Sequence, residues 1–323
     1  MSYSYDVTMF KETFEHEFTW LNGFLRNVHR FANQGALFSP LDNTSWTYKE
    51  LNEASNRLAH AMQADCVGKN DCIMFMLFNS PEFIFTYIAG HKLGAINCPV
   101  NYRQSSGELA AIMEDSRPVV FLYDASMAKI VRSALELSVY KPKRLICVNR
   151  FSEPQRFESD NLCAVLYDDY IRGMRSDNPT PDALPHIYDE STRLYTSGTT
   201  HRARAVPINT LNEVLSAHDV MMHFPLNNTD RTMNMTPWFH RGGLHSGGPT
   251  PTLYAGGEVI ILREFNPRVC LQYVTQHKVT FLIGVPSIIA LLARAQERQP
   301  ADLQSLRGIV TMGSPFEKSA CEK

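Results

Sequence analysis

Short apolar runs alternate along this chain with longer stretches whose apolar residues recur every three or four positions. Cys72 to Leu77 is one continuous apolar run, the pattern of a strand covered on both faces. Ile96 to Val100, Pro118 to Tyr123 and Arg144 to Val148 are read as further strands. Helices are predicted between them. Thr47-Tyr48-Lys49-Glu50 is a capping box, and Leu51, Ala54, Leu58, Ala61 and Met62 follow at helical spacing. Ser80-Pro81 opens a second helix with proline in its favoured first position, and Gly94 closes it. Ser105-Ser106-Gly107-Glu108 is another capping box, for a helix to about Asp115, and Ala125 to Leu137 is a fourth helix.

Residues 151–190 break the rhythm with several prolines and the acidic pairs Asp168-Asp169 and Asp189-Glu190. They read as an irregular connection. Alternation then resumes. Thr210-Leu211-Asn212-Glu213 is expected to cap a helix to about Met222. Arg231–Met235, Glu258–Leu262, Val279–Ile283 and Gly308–Met312 are expected strands, and Asn266-Pro267 and Pro286 open helices. This order predicts an α/β fold of layered parallel sheets with helices on both faces. The expected units are a first α/β subdomain at about 45–150, the connection at 151–190, and a second α/β subdomain at 191–323.

Composition adds limits. A chain of 323 residues, 44% hydrophobic and 20% charged, can bury a sizeable core. Its net charge is −2, from 31 basic and 33 acidic residues, so nucleic acid and anionic membranes are not expected as main partners. No apolar run reaches the ~18 residues of a spanning helix. Met1 to Phe10 lacks a basic start followed by an apolar stretch, so no secretory signal is expected. The seven cysteines are scattered and never spaced C-x-x-C. That predicts free thiols in a reducing, cytoplasmic setting.

The candidate chemistry concentrates at Leu194-Tyr195-Thr196-Ser197-Gly198-Thr199-Thr200. Four hydroxyls crowd one glycine. Gly198 can turn sharply and lets a ligand approach the backbone. Successive amides in such a turn form an anion nest, which the hydroxyls extend. Arg204 adds a permanent charge with a planar donor fork. A polar surface turn has the same composition, and the usual P-loop spelling is absent. A second stretch, Thr236-Pro237-Trp238-Phe239-His240-Arg241-Gly242-Gly243-Leu244-His245, combines glycines with aromatic walls suited to a ligand. The spacing of His240 and His245 puts them on different faces of a helix, against a metal site.

The wording of both stretches is more specific than their composition. Tyr195 to Thr200 resembles the phosphate loop of the adenylate-forming superfamily, which includes acyl- and aryl-CoA synthetases, firefly luciferase and peptide-synthetase adenylation domains. The family loop continues Gly-x-Pro-Lys-Gly; here it reads His201-Arg202-Ala203-Arg204-Ala205, which keeps a cation but loses two glycines and the proline. About forty residues on, Pro237-Trp238-Phe239-His240 with Gly243 resembles the family's Pro-aromatic-(aromatic)-His-x-x-Gly motif. Gly313-Ser314-Pro315 resembles the segment that borders the acyl pocket. Trp46 to Leu51, Leu93 to Asn101 and Gly284-Val285-Pro286 are similar to structural landmarks of the family.

The resemblance implies an AMP-forming acyl- or aryl-CoA synthetase that activates a carboxylic acid with ATP and Mg2+ and passes the acyl group to coenzyme A. Thr196, Ser197, Gly198, Thr199 and Thr200 would hold phosphates, Thr199 also the metal, and Arg204 would replace the loop lysine. His240 would orient the carboxylate. Trp238, Phe239, Gly243, Gly313, Ser314 and Pro315 would shape the substrate pocket. Members that activate amino acids carry an aspartate near the motif's phenylalanine; a histidine stands here, which favours a plain acid.

The family's later Tyr-Gly-x-Thr-Glu motif and its C-terminal domain are not in this sequence. The chain is therefore expected to be an incomplete, truncated N-terminal adenylation domain. Its uncovered apolar surface would favour aggregation or a partner, a homodimer among them. A non-catalytic remnant that binds a ligand or partner, or another adenylate-forming enzyme such as a carrier-protein loader, would share this part.

Overall fold

The apolar runs assemble into two sheets with one helix-filled layer between them. The computed structural model describes residues 6–151, 164–196, 204–316 and 318. Two helices, α1 (Val7–Glu17) and α2 (Trp20–Arg30), precede a hairpin of β1 (Gly35–Ser39) and β2 (Thr44–Thr47). Then α3 (Tyr48–Ala64), β3 (Cys72–Met76), α4 (Pro81–Leu93), β4 (Ile96–Pro99), α5 (Ser106–Ser116), β5 (Val120–Asp124), α6 (Ala128–Leu137) and β6 (Arg144–Val148) alternate. After β7 (Ala164–Leu166) and α7 (Tyr167–Tyr170) come β8 (Glu190–Thr196), β9 (Arg204–Asn209), α8 (Thr210–His223) and β10 (Arg231–Asn234). They are followed by α9 (Arg241–His245), α10 (Pro249–Ala255), β11 (Glu258–Ile260), α11 (Pro267–His277), β12 (Phe281–Gly284), α12 (Pro286–Arg298) and β13 (Gly308–Thr311).

Among the described residues, a seven-stranded sheet has the order β7-β6-β5-β3-β4-β8-β9 and a six-stranded sheet β13-β12-β10-β11-β1-β2. Each is parallel except for one antiparallel edge strand, β9 against β8 and β2 against β1. Strands from both sides of residues 151–190 share each sheet. The hairpin β8–β9 extends the sheet built by β3 to β7, and the N-terminal β1–β2 edges the sheet of β10 to β13.

Helix α4 shows why the layers hold. All of its residues from Pro81 to Leu93 are buried; apolar residues lie all round the helix, and buried Glu82 and Lys92 are answered by Arg150 and Asn52. Phe83 and Tyr87 of α4 pack in one cluster with Trp20 and Phe24 of α2, Trp238, Leu244, Leu253 and Val259. Burial of each such large side chain contributes roughly 1.5–3 kcal/mol. Ser80 accepts from the Phe83 amide, Pro81 takes the first turn, and Gly94 ends the helix at φ +64°.

The boxes at Thr47 and Ser105 form as their sequences predict, with both reciprocal bonds present. The cap expected at Thr210 falls one residue earlier. Asn209 is the cap and accepts from the Asn212 amide at 2.8 Å. Glu213 is fully buried instead of turning back to the helix end. Three buried hydroxyls and an imidazole offer it stronger partners than one backbone amide would.

Candidate active site

In parallel sheets ligands collect outside the carboxyl ends of strands, and the two singled-out stretches both leave from such ends. β8 stops at Thr196 and β9 begins at Arg204, and these two residues are register partners across the hairpin. The hairpin thus brings both ends of the candidate anion loop together. Ser197, Gly198, Thr199 and Thr200 lie outside the described residues, as do His201 to Ala203. Arg204 is exposed, with no ion-pair partner among the described residues.

The second stretch follows β10 and is pinned by two buried asparagines. Asn234 donates to the carbonyl of Gly243 at 3.2 Å and accepts from the Thr236 amide at 2.8 Å. Asn79 donates to the carbonyls of Thr236 and Leu262 at 3.2 and 3.0 Å and accepts from the Trp238 amide at 2.9 Å. The chain then folds tightly on itself. A Cβ at Gly243 would lie 1.9 Å from the Pro237 carbonyl oxygen, and one at Gly248 would lie 1.9 Å from that of Gly243. Only glycine permits these approaches.

The aromatic residues divide between core and cleft. Trp238 is in the core, edge-on to Phe83 at 5.6 Å. Phe239 turns the other way, edge-on to Tyr102 at 5.2 Å and against the His240 ring at 4.2 Å. His240 caps the short helix α9 without a side-chain bond. Burial, and then the charge of Arg103, hold its imidazole below the usual histidine range. It is therefore a neutral imidazole at pH 7, able to donate from one nitrogen and accept at the other.

The two stretches meet in one cleft of about 510 Å³, lined by Tyr195, Thr196, Pro207, Phe239, His240 and Arg241 among others. Among the described lining residues there is no carboxylate, while Arg241 and Asn212 add polar donors. Tyr195 donates its hydroxyl to Asp115, and burial and that bond raise its pKa. Trp238 is outside the cleft. Gly313, at φ +85°, Ser314 and Pro315 are exposed and do not line it. They follow Met312, whose sulfur would sit 2.7 Å from a Cβ at Gly242.

Asn79, Asn234, Tyr102, Asn212 and Arg241 are site residues that the sequence reading did not single out for a role. An asparagine at each of two strand ends, inside otherwise apolar stretches, is the signal that marks the first two. His245 is buried and bonds Glu213. Among the described residues no group of three or more His, Cys, Asp or Glu is arranged to hold a metal. No described helix is long and apolar enough to cross a membrane.

A family model described as "AMP-binding enzyme" matches residues 24–323. The chain is 27% identical over 272 residues to a feruloyl-CoA synthase of Amycolatopsis sp, covering 84% of this chain and 50% of that protein. It is 28% identical over 270 residues to an indoleacetate–CoA ligase of Aromatoleum aromaticum, covering 82% and 49%. The chain thus spans about half the length of the curated relatives it matches. A solved structure of the anthranilate CoA ligase AuaEII with anthranoyl-AMP superposes with a TM-score of 0.84 at 20% identity, covering 94% of this chain and 56% of that one. At that identity the superposition establishes the fold: the layered α/β architecture of the N-terminal domain of adenylate-forming enzymes.

Proposed function

Because the chain belongs to the AMP-binding enzyme family, we propose that it forms the ATP- and acid-binding part of an AMP-forming acid–CoA ligase. In the first step a carboxylate oxygen attacks the α-phosphorus of ATP, and pyrophosphate leaves. In the second the coenzyme A thiolate attacks the acyl carbon and AMP leaves. The protein's task in both is to position reactants and balance charge. The carrying observation is the shared cleft, in which Thr196, at the end of the hydroxyl-rich hairpin, and the Phe239-His240-Arg241 stretch face one space.

In this reading Thr196, Ser197, Gly198, Thr199 and Thr200 hold the β- and γ-phosphates, and Arg204 offsets their charge. The neutral His240 donates a hydrogen bond that orients the acid's carboxylate, and Phe239 packs on its apolar body. Gly243 keeps His240 at the cleft through its tight turn. Trp238 supports that turn from the core. Gly313, Ser314 and Pro315 stand outside the cleft lining and are given no contact with the acid in this reading. Thr199 would help hold the Mg2+ that accompanies ATP, which would supply charge neutralisation at the phosphates. No carboxylate stands among the described lining residues to pair with an α-ammonium group, which supports a plain acid. An aromatic acid is the preferred class. Phe239, Tyr195 and the neighbouring Tyr102 favour a ring, and the relatives are named for feruloyl and indoleacetate substrates. A cytoplasmic setting is supported by the free thiols of Cys66, Cys72, Cys98, Cys147 and Cys270.

Pyrophosphate exchange into ATP, run with a panel of aromatic, aliphatic and amino acids, tests the reading. Aromatic acids are expected to stimulate it and amino acids are not. Thr199→Ala combined with Thr200→Ala is expected to reduce exchange by ~100-fold or more, the scale of losing oriented donors. Undiminished exchange in that double variant would remove the loop assignment.

A further inference from the structure

Four side-chain donors converge on one buried carboxylate behind the hairpin. Glu213, on α8, is 0% exposed. One of its oxygens accepts from Ser191 Oγ at 3.1 Å and Thr192 Oγ1 at 2.6 Å, both on β8. The other accepts from the Tyr87 hydroxyl of α4 and from His245 Nε2 at 2.9 Å, on the last residue of α9. Burial pushes the Glu213 carboxyl up, but the His245 charge and hydrogen bond, with smaller help from His91 and Thr192, hold it below the usual carboxylate range. The His91 ring packs edge-on to Tyr87 at 4.7 Å, on the same inner face.

An apolar residue at this position of α8 would fill the space without any charge to desolvate. A buried carboxylate is tolerated only when every acceptor site is answered, and here the answers come from three separate elements. Two of them carry the candidate site. Thr192 lies four residues before Thr196 on β8, and His245 lies five residues after His240. Hydrogen bonds are directional, so the shared carboxylate fixes the hairpin and α9 relative to each other more sharply than apolar packing does.

We propose that Glu213 is a positioning residue, a pin that holds the β8–β9 hairpin in register with the His240 stretch so that the phosphate-holding and acid-holding sides of the cleft move as one. What is positioned rests on the ligase reading; the coupling itself does not. Neither side's bonds to the pin touch the cleft directly, so each can be cut without altering its lining. Thr192→Val removes one donor from β8 with little change of shape. His245→Gln removes the imidazole from α9.

Amide hydrogen exchange of the protein without nucleotide tests the pin. Each variant is expected to speed exchange at least about tenfold in both 190–196 and 236–245, with β5 and β6 unchanged. Effects confined to the mutated side would overturn the proposal, and so would acceleration spread evenly over the molecule. Pyrophosphate exchange adds a crossed readout. His245→Gln, on the acid side, is expected to raise the KM for ATP several-fold, and Thr192→Val, on the phosphate side, the KM for the acid. Uncrossed KM effects in an active enzyme also count against the pin. A wild-type protein without exchange activity would instead sink the ligase reading, and hydrogen exchange would still decide the coupling.

Discussion

Gly243 has no room for even a methyl group, because the Pro237 carbonyl oxygen is 1.9 Å from where a Cβ would stand. Gly243→Ala is expected to destabilise the protein by at least about 2 kcal/mol through backbone displacement, readable as a lower urea midpoint at constant slope. His91 makes a second residue-scale prediction. Burial drives its imidazole down to about 4, whereas the unfolded chain titrates near the ordinary value of about 6.5. The folded state therefore binds its proton later than the unfolded state. Its stabilising contribution is complete above about pH 6.5 and is lost as pH falls through about 4, an effect of roughly 3 kcal/mol. Urea titrations across that range should show the loss in the wild type and a flatter profile in His91→Gln. Individual residues were also where the sequence was hardest to read. Glu213 has the spacing of a capping glutamate yet is buried among four donors. Spacing along a helix does not reveal what another element places opposite it.

Helix starts can be compared directly at α3 and α8. Thr47→Ala removes a formed capping box and is expected to cost ~1 kcal/mol. Asn209→Ala is expected to cost about the same, since Asn209 is the acting cap of α8. Thr210→Ala, by contrast, loses only a long 3.4 Å bond to the Asp189 carbonyl and is expected to cost less than either. Thermal denaturation of the three variants ranks them; a Thr210 effect larger than that of Asn209 would contradict the assignment. Elements buried on both faces were readable from the sequence. Strands β3 to β6 are almost wholly buried and print as apolar runs, and α4 is bracketed by Pro81 and Gly94. Edge elements were not. β9 is mostly exposed along its length, α1 buries no residue, and β7, at one edge of its sheet, is only three residues long. Such segments bury too little surface to leave a period in the sequence.

At the scale of the whole molecule, the strand–helix order pointed to parallel sheets but could not reveal which strands share one. β8 joins β4, far earlier in the chain, and β1 joins β11, because long-range pairing is decided by packing of the shared layer rather than by local pattern. The site follows from that crossing. Placing β8 beside β4 and β10 in the facing sheet sets the hairpin and the His240 stretch on one cleft. The family resemblance groups Thr196, Arg204 and His240 by expected role, and Thr196 and His240 line one cleft; the asparagines that brace the second stretch, Asn79 and Asn234, had no motif to mark them. Calorimetric titration of the wild-type protein and of Thr199→Ala/Thr200→Ala/Arg204→Ala with MgATP measures the central claim, that this hairpin is a nucleotide-phosphate site. Saturable binding weakened at least about tenfold in the triple variant, with the thermal midpoint unchanged, is the predicted result. Equal affinity in the two proteins, or no binding by the wild type, would contradict it.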